Sequence, residues 1–142
     1  MKLIITAFLL ISNLASFAQS NQLFGDYNLT LGKEGDHLFE YQLTLDQDGT
    51  FFFHYYSKIK LGVPPEKNKY GKGKWTVKNN VVSFFSDKEK DFDEKHTLDF
   101  NNSKARFVSK SPRDKTDRLI KTSLRFIESE ISWMKGINVL KI

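Results

Sequence analysis

The sequence predicts an all-β protein: an antiparallel up-and-down meander of 8–9 short strands closing into a barrel. Two hairpin signatures and the spacing of the turn residues carry that reading. In the first, Tyr41, Leu43 and Leu45 alternate with polar residues, and Phe51, Phe53 and Tyr55 alternate after Asp46-Gln47-Asp48-Gly49. That turn suits a type I geometry closed by glycine at positive φ. The register it sets puts Leu45 opposite Phe51, Leu43 opposite Phe53 and Tyr41 opposite Tyr55, so six apolar side chains share one face. A slip by one residue would scatter them. In the second, Gly73-Lys74-Trp75-Thr76-Val77-Lys78 meets Val81-Val82-Ser83-Phe84-Phe85 through Asn79-Asn80. Asparagine tolerates positive φ, so a type I′ turn sets Trp75 opposite Phe84 and Val77 opposite Val82.

Taken in order, the chain begins with Lys2, an apolar run over Leu3 to Leu14, and small residues at Ser16 and Ala18. This is the pattern of a cleaved signal peptide over 1–18, with the cut before Gln19. The run is too short to span a bilayer, so an exported protein without stable membrane insertion is expected, periplasmic or secreted. The remaining 19–142 suits a single domain with a real core. The sequence contains no cysteine, so neither disulfides nor thiolate ligands are available and the domain must hold together by burial. A net charge of +5 with both signs well mixed speaks to solubility first, and 13 phenylalanines argue against disorder.

Tyr27, Leu29 and Leu31 alternate in a first strand from Gly25, followed by the turn cluster Gly32 to Asp36. The central hairpin occupies His37 to Ser57. Lys58 to Lys72, with Gly62, Pro64-Pro65 and Gly71, reads as the longest irregular connection, since the prolines rule out a central strand. After the second hairpin, Asp87 to Glu94 is a charged connector. A third hairpin is expected with His96, Leu98 and Phe100 returning as Ala105, Phe107 and Ser109, and with Asp99 facing Arg106. Leu119 to Ile127 reads as a strand, rich in β-branched and aromatic residues. An amphipathic helix through Ile120, Leu124, Ile127 and Ile131 is the competing reading over 117–130. A last strand follows Gly136.

Gly25-Asp26-Tyr27, Leu45 to Phe51, and Gly73-Lys74-Trp75 through Asn79-Asn80 together resemble the small secreted lipocalin-like (calycin-type) β-barrel proteins of bacteria, of Bacteroidetes type. The likeness covers about 24–109. A lipocalin proper carries Gly-x-Trp in its first strand; here Gly25-Asp26-Tyr27 stands there and the tryptophan comes at Trp75. The resemblance implies a non-enzymatic binding protein.

Candidate site residues follow from the expected inner face. Tyr41, Phe53, Tyr55, Trp75 and Phe84 would line a cavity for a small apolar or amphipathic ligand, or else pack as core. Lys58, Lys60, Lys67, Lys69, Lys72 and Lys74, with Glu66 the only acid among them, would give an anion-binding loop for a glycan or headgroup, or else a solvated surface. Phe52, Tyr56 and Phe85 fall on the outer face and could meet a protein or an anionic surface polymer. No nucleic-acid module is recognisable. His37, His54 and His96 lack any zinc-binding spacing, and Thr44 and Tyr55 break the calcium-loop pattern around Asp46. No nucleophile elbow is present, and Asp91, Asp93, Glu94, Glu128 and Glu130 lie among lysines in polar connectors. No catalytic residue, metal or cofactor is therefore expected.

Overall fold

A computed structural model describes residues 23–142; the expected signal peptide over 1–18 lies outside them. Eight strands follow in order: β1 Gly25–Gly32, β2 His37–Leu45, β3 Thr50–Ile59, β4 Glu66–Lys78, β5 Val81–Phe85, β6 Ser103–Val108, β7 Ser123–Glu128 and β8 Asn138–Lys141. Each pairs antiparallel with its neighbours, and β1 pairs with β8 through Tyr27 and Asn28, so the meander closes into a barrel. Closure pairs the first strand with the last, which covers the two ends of the meander.

Both hairpin registers are those the side-chain pattern requires. Leu45 faces Phe51, Leu43 faces Phe53 and Tyr41 faces Tyr55. Trp75 faces Phe84 and Val77 faces Val82. Gly49 takes φ 90°, and Asn79 and Asn80 take 52° and 61°. Within 117–130 the strand reading holds over the helix, but β7 covers only Ser123–Glu128 and begins later than the expected Leu119.

Two stretches depart from expectation. Lys58 to Lys72 is not one loop: β3 runs to Ile59, β4 already starts at Glu66, and the irregular part is confined to 60–65 around Pro64-Pro65. Gly71, which suggested loop, lies inside β4 with Gly73, and close neighbours leave no room for a side chain at either. A Cβ on Gly71 would stand 2.6 Å from the Phe100 ring. The third hairpin does not form. Residues 86–102 form an irregular segment that runs beside β4 where β5 has ended, touching it through a parallel bridge from His96 to Tyr70. Arg106 faces Val81 and Arg125 rather than Asp99.

Phe100, carried by that segment, is fully buried in the middle of the barrel. Its ring centroid lies 5.2, 5.0, 5.9 and 6.4 Å from those of Phe51, Phe53, Phe84 and Phe126. Such tilted contacts add to the gain from burial alone. The segment is tied at both feet. The Asn101 side chain accepts from the Ser86 N–H (3.0 Å) and donates to its carbonyl (2.8 Å), and Ser86 Oγ donates to the Lys72 carbonyl (3.0 Å). At the opposite end Tyr27 donates its hydroxyl to the Leu23 carbonyl, and Trp75 Nε1 donates to the Asp46 carbonyl at 3.0 Å. Burial pushes the Tyr27 hydroxyl far above its ordinary pKa.

Candidate functional site: the aromatic mouth of the barrel

Strands β1 to β4 outrun β5 to β8, and their inner face continues past the packed centre. Along it stand Leu29 and Leu31, Phe39 and Tyr41, Tyr55 and Ser57, and Lys67 and Lys69. The pairings Leu31–Phe39, Leu29–Tyr41, Tyr41–Tyr55, Phe39–Ser57, Tyr55–Lys69 and Ser57–Lys67 place them as one patch. The facing wall is the connector 129–137, which turns through two backbone hydrogen bonds, Met134 N–H to the Ile131 carbonyl and Ile137 N–H to the Met134 carbonyl. Buried Met134 anchors it, and Trp133 reaches the mouth beside it.

Trp133 is the centre of this site. Its ring lies 4.6 Å from Tyr55, 6.1 Å from Tyr41 and 6.1 Å from Phe53, while Tyr41 and Tyr55 are 5.3 Å apart. Lys69 Nζ stands 6.0 Å from the Trp133 centroid, at the edge of cation–π range. Leu29, Phe39, Tyr55, Ile131 and Trp133 are half-buried. Leu31 is 43% exposed. The mouth therefore offers apolar and aromatic faces to solvent with ammonium groups at its rim. Burial first, and the neighbouring Tyr55 second, raise the Tyr41 pKa, so its phenol stays protonated as a donor at any physiological pH.

The five rings expected at a ligand cavity divide. Phe53 and Phe84 belong to the packed centre, Trp75 is buried towards the opposite end, and only Tyr41 and Tyr55 lie at the mouth. Trp133 escaped the sequence reading because it sits in a connector with no alternating pattern around it. The one available signal was a tryptophan flanked by the apolar Ile131 and Met134 outside any strand. The lysines do not form one cluster. Lys58 lies 3.9 Å from Glu66, and Lys72 lies 3.7 Å from Asp93 on the outer face. Lys60 sits in the 60–65 turn, and only Lys67 and Lys69 share the inner face. Phe52 and Phe85 are 49% and 50% exposed, as their outward positions require, while Tyr56 is half-buried.

His54 and His96 serve the outer surface. His54 stacks on Tyr70 at 4.4 Å, and its Nε2 lies 2.8 Å from Asn68 Oδ1. His96 Nδ1 lies 3.0 Å from both Asp93 oxygens. Hydrogen bonds from the His96 backbone, then its ring, then the Lys95 backbone hold the Asp93 carboxyl at about pKa 2, against an ordinary 3.8. A depressed carboxyl stabilises the fold above its unfolded pKa, and that contribution is lost as pH falls through the folded value. The urea midpoint of Asp93→Asn is therefore expected to lie below that of the unaltered chain at pH 5, with the gap closing between pH 3.8 and 2. A gap that stays constant through that window would contradict the assignment. Among the described residues, no group of three or more His, Asp or Glu side chains is placed to share a metal ion, and no helix is long and apolar enough to cross a membrane.

The closed antiparallel barrel is the architecture of lipocalin-like proteins and is able to hold a ligand. No family model, curated protein or solved structure matches the chain.

Proposed function

We propose that this chain is an exported, non-enzymatic binding protein of lipocalin-like type that takes a small amphipathic ligand at the mouth of its barrel. The observation that carries this is the half-buried pair Trp133 and Tyr55, backed by buried Tyr41, with Lys69 beside them. Small-ligand sites combine apolar and aromatic walls with a few placed polar groups. The rings would receive the apolar body of the ligand, and Lys67 and Lys69 would receive an anionic end. A ligand at the centre would have to displace Phe100, so the mouth is favoured over the interior. Export rests on the 1–18 pattern, and the Bacteroidetes-type likeness on the hairpin motifs; the barrel supports the lipocalin-like part of that likeness. Phe52 and Phe85 favour a second reading, in which the outer face of β3 to β5 docks a protein or an anionic glycan.

The two tryptophans provide the test. Titrating laurate should quench Trp133 fluorescence and leave that of buried Trp75 unchanged. Trp133→Phe should abolish the quench, Trp133→Ala should weaken laurate binding at least tenfold, and Lys69→Gln should weaken it several-fold. Equal affinity in Trp133→Ala and the unaltered chain would refute the mouth site. Native mass spectrometry of protein purified from its own host would then give the mass of any natural ligand.

A further inference from the structure

The outer face of β6 and β7 carries a feature that folding alone does not explain. Arg106 and Arg125 stand directly opposite each other across the antiparallel pair. Like charges in that position repel and cost stability. The neighbouring pair is resolved in the usual way, Lys104 lying 3.9 Å from Glu128. The arginine pair is not: among the described residues neither guanidinium has a hydrogen-bond or ion-pair partner. Beside them the 129–137 connector brings Lys135, likewise unpartnered, to the same place.

These three cations line a surface hollow of about 390 Å³ with Val108, Phe126, Ile127 and Gly136, and no carboxylate lines it. That volume lies within the ordinary range of small-ligand sites, about 300–1,000 Å³. Val108, 38% exposed, and half-buried Ile127 give it an apolar side. From these observations we infer that the hollow is a binding site for a phosphate or sulfate ester. The guanidinium forks match tetrahedral oxyanions by paired hydrogen bonds, and the Lys135 ammonium adds a point charge. Two guanidinium forks and an ammonium offer more donors than the two oxygens of a single carboxylate can use, and suit the several oxygens of a tetrahedral ester better. Val108 and Ile127 would contact the carbon body that carries the ester. The bound anion would remove the repulsion between Arg106 and Arg125, so occupancy and fold stability are linked. The site is distinct from the mouth, since Trp133 points into the barrel end and Lys135 lines the outer hollow.

The test is thermal unfolding of the full chain in chloride, and then in inorganic phosphate or sulfate at the same ionic strength. Phosphate or sulfate at millimolar concentration is expected to raise the Tm by a few degrees over chloride. Arg125→Gln should lose at least tenfold in phosphate affinity, and in dilute chloride its Tm should equal or exceed that of the unaltered chain, because the repulsion is gone. A purely structural arginine would behave oppositely, with a lower Tm in chloride and an undiminished response to phosphate. No rise over chloride, or an equal rise in an Arg106→Gln/Arg125→Gln double variant, would overturn the site. Two further probes separate the sources of the ester. A soluble sugar phosphate that competes with phosphate assigns a free small molecule, whereas sedimentation with phosphatidylglycerol vesicles but not phosphatidylcholine vesicles assigns a lipid headgroup.

Discussion

Phe100→Ala is expected to destabilise the barrel by about 3–5 kcal/mol, the usual cost of removing a fully buried phenylalanine ring. The site gives little room for relaxation. Phe51, Phe53, Phe84 and Phe126 stand on three strands, β3, β5 and β7, whose registers with their neighbours are fixed by backbone hydrogen bonds, so they cannot close over the gap. The loss should appear as a lower urea midpoint with an unchanged m-value. Gly71 supplies the control. Its added Cβ would stand 2.6 and 2.9 Å from Phe100 Cε2 and Cδ2, a clash with a ring hemmed in on all sides. Gly71→Ala should therefore be costly alone and cost much less when Phe100 is already alanine, Leu98 Cβ at 3.2 Å being the tight contact that remains. That non-additivity identifies the clash with Phe100 as the reason a glycine occupies a strand interior. If the two losses simply add, Phe100 is not what the glycine accommodates.

The fate of Phe100 marks where the sequence was legible. Pairs of strands joined by turns with one geometric solution could be read residue by residue. Asn79-Asn80 admits positive φ twice, and Asp46 to Gly49 ends in a glycine at φ 90°. The alternation of Tyr41 to Tyr55 then leaves one register that puts Tyr41, Phe51, Phe53 and Tyr55 on the inner face. His96, Leu98 and Phe100 alternate just as well, yet they form no strand. What decides there is the Asn101 amide, which closes 86–101 through the Ser86 backbone. Two rungs of side-chain pairing substitute for a ladder, and no period-2 pattern encodes that. The same limit hid the site. Tyr41 and Tyr55 were visible as inward aromatics, but Trp133 joins them only through barrel closure, which brings a β7–β8 connector over strands β2 and β3. Lys69 appeared as one loop lysine among six. Its distinction from Lys72 depends on β4 being a strand, where odd positions face inward and even ones outward.

Gly73→Ala is expected to be the most damaging single methyl addition in β4. An ideal Cβ there would lie 1.9 Å from the Phe85 carbonyl oxygen and 2.9 Å from its carbon, with Phe51 Cε1 at 3.0 Å. The obstacle differs in kind from that at Gly71. There a side chain is in the way, but the Phe85 carbonyl belongs to the backbone of β5, whose pairing with β4 at Lys74 fixes where it lies. Relief requires β4 and β5 to separate at that end, and Ser86 is the next residue along. Its hydroxyl donates to the Lys72 carbonyl and its backbone holds Asn101. Moving Phe85 thus loosens the foot of the segment that delivers Phe100, so a local clash becomes a loss at the barrel centre. Gly73→Ala should cost several kcal/mol, in the range that separates diagnostic substitutions from ordinary ones, about 4–5 kcal/mol. Amide exchange would show the route: protection should fall along β5 and at Phe100 while the β2–β3 hairpin keeps its own. A uniform fall across all eight strands, or a cost below that of Gly71→Ala, would show that β5 is not tied to the segment carrying Phe100 in this way.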